Sequence, residues 1–71
     1  MSTKHFTKLI VEGDYMAEVE VDLHYANEGW SPYLSLEDAY KLDDVREALK
    51  RRDLQTAAKF GKLFRLNPVA V

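Results

Sequence analysis

Residues 13–25, Gly13-Asp14-Tyr15-Met16-Ala17-Glu18-Val19-Glu20-Val21-Asp22-Leu23-His24-Tyr25, decide the fold. From Tyr15 onward the run alternates strictly. Tyr15, Ala17, Val19, Val21, Leu23 and Tyr25 share one face, and Met16, Glu18, Glu20, Asp22 and His24 share the other. A period of two over this length specifies a half-buried strand with its acidic face in water. Gly13-Asp14 reads as a two-residue hairpin turn, because glycine accepts a positive φ without a Cβ clash. The apolar, partly β-branched run Leu9-Ile10-Val11 makes residues 6–12 the partner strand. Ile10 and Phe6 fall on the face opposite Leu9 and Val11. The first strand is therefore expected to be central, or to have its second face covered by another subunit.

Beyond the hairpin, Asn27, Gly29 and Pro32 mark residues 26–34 as a loop holding Trp30 and Tyr33. Ser35 has the form of a helix N-cap, with Glu37 and Asp38 suited to the first turn. On a helical wheel Leu36, Ala39 and Tyr40 lie nearly opposite Leu42, Val45, Ala48 and Leu49, so one straight helix would expose one of these sets. Asp44-Val45-Arg46-Glu47 also resembles a capping box. The pattern predicts a helix over 36–42, a break near Asp43 and a second helix over 44–51. Asp53 caps a third helix over 54–60, and Gly61 stops it. Residues 62–66 read as a last strand with Phe64 and Leu66 inward, ended by Asn67-Pro68. The expected class is α+β in the order ββαααβ: a three-stranded, mainly antiparallel sheet packed on helices, in a single domain over residues 1–71.

At 71 residues and without cysteine, this chain has neither a disulfide nor a thiolate metal site to staple a small core. Oligomerisation is the remaining common remedy, and a homodimer is expected. No apolar run approaches the about 20 residues of a membrane helix, and no apolar stretch follows the N-terminus as in a signal peptide. A cytoplasmic protein is expected.

Charge is laid out unevenly. Residues 1–45 carry three basic residues against ten acidic ones, and residues 46–71 carry seven against two, within a total of −2. Such asymmetry points to electrostatic contact and not to chemistry. From Glu12 to Glu28 there are six carboxylates and no Lys or Arg. Glu18, Glu20 and Asp22 stand in a row. They form either a solvated face that discourages edge pairing or a docking surface for a basic protein, with Trp30 and Tyr33 as apolar anchors. The loop aromatics have an alternative role as a plug for the open end of the core. A metal site fits poorly, because ligands along one strand form a line and not a cage.

Lys50, Arg51, Arg52, Lys59 and Lys62 form the basic counterpart. They suit a helix C-terminus, an acidic surface of this chain, or the phosphates of a nucleic acid. Residues 55–61 are also similar to the first helix and turn of a helix–turn–helix unit, although Pro68 disfavours a continuous recognition helix after Gly61. His5 and His24 have no readable nucleophile beside them, so no catalytic residues and no cofactor are assigned.

The run Ser31-Pro32-Tyr33-Leu34-Ser35-Leu36-Glu37-Asp38-Ala39-Tyr40-Lys41-Leu42-Asp43-Asp44-Val45-Arg46-Glu47-Ala48-Leu49, with Arg65-Leu66-Asn67-Pro68-Val69, resembles a family of short bacterial proteins, some of which accompany toxin–antitoxin loci. The order of hairpin, helix and strand is also similar to the HicB antitoxin layout. The resemblance implies a partner-binding protein and carries over no catalytic residue.

Overall fold

The computed structural model describes residues 2–25 and 31–70. Strands β1 (Ser2–Glu12) and β2 (Tyr15–Tyr25) form the expected hairpin, in register along their full length from Ser2 opposite Tyr25 to Glu12 opposite Tyr15. Gly13 has φ 58° and Asp14 stays out of the left-handed region. A positive φ at the first central position alone is the signature of a type II′ turn, whose twist matches the strands.

The central strand is β2, not β1. Its second edge pairs with two short strands: β4 (Lys62–Arg65) along residues 15–18 and β3 (Tyr33–Leu34) at residues 23 and 24. The sheet is therefore antiparallel and four-stranded, and β1 is an edge along all of its length. Residues 33 and 34, expected in a loop, supply β3.

Helix α1 runs unbroken over Leu36–Lys50, and α2 spans Leu54–Ala58. Among the described residues, two helices replace the expected three. The predicted break near Asp43 is absent because Leu42, Val45, Ala48 and Leu49 already form one continuous stripe, all buried. Of the competing set, Leu36 is 67 % and Tyr40 59 % exposed, and Ala39 is half-buried. Ser35 caps α1 by accepting the Asp38 N–H at 3.1 Å. Asp53 caps α2, accepting the Thr56 N–H at 3.2 Å and its hydroxyl at 2.7 Å.

The core is one layer between sheet and helices. Ile10, Ala17, Val19 and Val21 meet Leu42, Val45, Ala48, Leu49 and Ala57, with Tyr15, Leu34, Leu54, Phe60 and Leu63 around them. Leu63, not Phe64 or Leu66, is the inward residue of β4. Phe64 lies opposite Met16, on the other side of the sheet, and Leu66 is exposed. The molecule measures 45 × 31 × 14 Å with a radius of gyration of 14.3 Å. A compact chain of this length would have about 11 Å. The excess reflects a flat two-layer body whose hairpin outgrows the helix.

Between α1 and α2 the chain turns through Arg52, which has φ 58°. The Arg52 N–H donates to the Leu49 carbonyl at 3.0 Å and the Asp53 N–H to the Ala48 carbonyl at 2.8 Å. These two bonds define a Schellman motif with Arg52 at C′, where glycine is usual. Left-handed backbone costs an L-residue roughly 1–2 kcal/mol. Arg52→Gly is therefore expected to stabilise the protein by about 1 kcal/mol, read as a higher urea midpoint. A lower midpoint would contradict the motif.

Candidate functional site

One face of the sheet is roofed by α1 and α2. The other has no element over it among the described residues. The hairpin register decides which side chains it displays, because directly opposed residues share a face. From β1 these are Thr3, His5, Thr7, Leu9 and Val11, opposite His24, Asp22, Glu20, Glu18 and Met16 of β2. Pairing with the short strands adds Phe64 opposite Met16, Lys62 opposite Glu18, and Tyr33 opposite His24.

This open face has two halves. Near the hairpin turn it is apolar: Leu9 is 54 % and Val11 56 % exposed, and Met16 and Phe64 are half-buried beside them. Toward the far end it is polar and acidic. His5 Nδ1 lies 2.6 Å from Asp22 Oδ1, and the Thr7 hydroxyl donates to Glu20 Oε1 at 2.7 Å. The His24 and Tyr33 rings stack with centroids 5.5 Å apart. Lys62 sits over the Phe64 ring at 5.6 Å.

The structure thus brings Glu18, Glu20, Asp22 and Tyr33 onto one surface. Trp30 lies outside the described residues. Tyr33 is exposed on the sheet against His24, so its expected role as a core plug is not realised. The apolar half was only partly legible beforehand. Alternation assigns Met16 to the outer side, but Leu9 and Val11 join it only through the edge position of β1, and Phe64 only through the register of β4.

The basic residues are divided. Lys62 stands on the open face, opposite Glu18 and over the Phe64 ring. Lys50 and Arg52 line a cleft of about 210 Å³ whose other wall includes Glu12 and Asp14 of the hairpin turn. Lys50 Nζ lies 3.6 Å from Glu47, and an Arg51 guanidinium nitrogen 3.9 Å from Asp53. Lys59 is exposed beyond α2. The five cations therefore do not share one surface.

The second edge of β2 is finished in an unusual way. Between β4 and β3, no strand among the described residues pairs with residues 19–22 on this edge, and α1 fills the gap with side chains. Asp38 Oδ2 accepts the Asp22 N–H at 2.9 Å, and Lys41 Nζ donates to the Glu20 carbonyl at 2.7 Å. Lys41 Nζ also lies 3.4 Å from Asp38 Oδ1. The Asp22 N–H, and then Lys41, hold the Asp38 carboxyl below the usual carboxylate range. The bonds from Thr56 do the same for Asp53. Residues 20 and 22 are thereby fixed with their side chains on the open face.

No three or more His, Asp or Glu side chains among the described residues are gathered as a metal site. No helix among them is long and apolar enough to cross a membrane. Comparison with protein-family models, curated proteins and solved structures finds no match in any of the three.

Proposed function

We propose that this chain is a non-enzymatic, antitoxin-like interaction module whose open sheet face captures a basic protein. The observation that carries this is the shared surface: Glu18, Glu20 and Asp22 stand on the same face as Leu9, Val11, Met16 and Phe64, and no element among the described residues covers it. An apolar patch rimmed by charge is the usual composition of a docking surface. The carboxylate row selects a cationic partner and speeds encounter, and the apolar half supplies the burial that holds it. A protein that acts on RNA carries such cations, because its substrate is anionic. Carboxylates spaced along a strand would occupy the place of its phosphates.

The test is affinity capture from the native lysate with nuclease present. It compares the wild type with the triple variant Glu18→Gln, Glu20→Gln, Asp22→Asn. These amides keep side-chain length and leave an acceptor for Thr7 and His5. The wild type should retain a stoichiometric basic protein, and the variant should retain roughly tenfold less or lower, with an unchanged circular dichroism spectrum. Equal recovery by both, or recovery only without nuclease, would overturn the proposal.

A further inference from the structure

The other side of the hairpin carries a separate surface. On the helix-side face, β1 displays Lys4, Phe6 and Lys8, in register with Leu23, Val21 and Val19 of β2. Phe6 is 44 % exposed, and both lysines are exposed and make no ion pair among the described residues. This chain's own α1 covers the sheet toward the hairpin turn, where Arg46 Nε lies 3.8 Å from Glu12. Toward the other end α1 follows the β2 side of the sheet, and no element among the described residues covers Lys4, Phe6 and Lys8 of β1.

The complement of that surface lies on the same chain. The outer stripe of α1 exposes Leu36 and Tyr40, flanked by Glu37 and Asp44, which are exposed and make no ion pair among the described residues. One surface sets apolar side chains beside cations, and the other sets them beside carboxylates. They cannot meet within one chain, because the outer stripe faces away from the sheet that α1 covers. We propose that they meet between two copies. The outer stripe of α1 in one protomer lies on the Lys4–Phe6–Lys8 face of its partner, and the same contact is made reciprocally. The second helix occupies the part of the sheet that the first does not reach. A reciprocal contact of this kind closes a two-fold dimer and leaves both open faces free.

The experiment is a charge swap read by light-scattering mass across a concentration series. The wild type should reach twice the 8.2 kDa of one chain. Lys4→Glu/Lys8→Glu and Glu37→Lys/Asp44→Lys should each shift the dissociation constant upward by at least about tenfold, since like charges then face each other. An equimolar mixture of the two variants should recover the dimer, because both contacts of the mixed pair are again complementary. Tyr40→Ser alone should also weaken the dimer, and circular dichroism confirms folding of each variant. A wild type that stays monomeric to millimolar concentration overturns the proposal. So does a helix variant that dimerises like the wild type while the strand variant does not, because that result assigns the contact to edge-to-edge pairing of β1.

Discussion

Gly61→Ala is expected to destabilise the fold by about 3 kcal/mol. A Cβ at residue 61 would overlap the Glu18 carbonyl oxygen and lie 3.0 Å from Val19 Cγ2. Neither neighbour can move cheaply. Glu18 belongs to the central strand, paired with Leu9 on one side and Lys62 on the other, and Val19 is fully buried. Relief requires β4 to withdraw from β2, which loosens Leu63 over the core and Phe64 on the open face. A chain of this length has roughly 4–10 kcal/mol in total, so the loss takes a large part of it. Thermal midpoints of small domains fall by roughly 4–8 °C per kcal/mol, so a drop of more than about 10 °C should be seen. A melting point within a degree or two of the wild type would show that the close approach at Gly61 is not what seats β4.

Asp38→Ala has the next largest expected effect, a loss of about 2 kcal/mol. The carboxylate is 19 % exposed and is the acceptor for the Asp22 N–H in the gap between β3 and β4. Its removal leaves that donor without a partner and frees Lys41 from one of its two contacts. Stability should also lose part of its acid dependence. The folded-state pKa of Asp38 lies below its ordinary 3.8. Its contribution is therefore complete above about pH 4 and is lost as pH falls through the folded value. Urea midpoints measured from pH 6 downward should converge for wild type and variant below about pH 4. Parallel curves across that range would mean that Asp38 carries no such role.

Most of the hairpin was legible in the sequence, because strict alternation over Tyr15–Tyr25 has one structural solution and Gly13 marks where the chain reverses. The helical half was less legible, for a reason visible in α1. Amphipathic reasoning assumes that inward positions are apolar, which made Leu36 and Tyr40 a second core set and forced a break. The inward positions of that half are Asp38 and Lys41, which serve the unpaired backbone of β2. A need of that kind is invisible until the strand order is known. The same holds for β4. Alternation alone admits Phe64 or Leu63 as the inward residue, and the register imposed by Gly61 against Glu18 selects Leu63. Of the candidate surface, the acidic row could be read directly. Its apolar neighbours Leu9 and Val11 could be placed only once β1 was known to be an edge and its outer face to be uncovered.

The most direct test of the open face uses a property of the chain itself, its lack of cysteine. A single cysteine in place of Leu9 carries a bulky maleimide onto the middle of the open face. One in place of Gln55 carries it onto the exposed side of α2. Each labelled protein is then used for nuclease-treated capture from the native lysate. The label at residue 9 should abolish recovery of the basic partner, and the label at residue 55 should leave it at the wild-type level. Undiminished capture with residue 9 labelled would contradict the assignment of the sheet's open face as the docking surface.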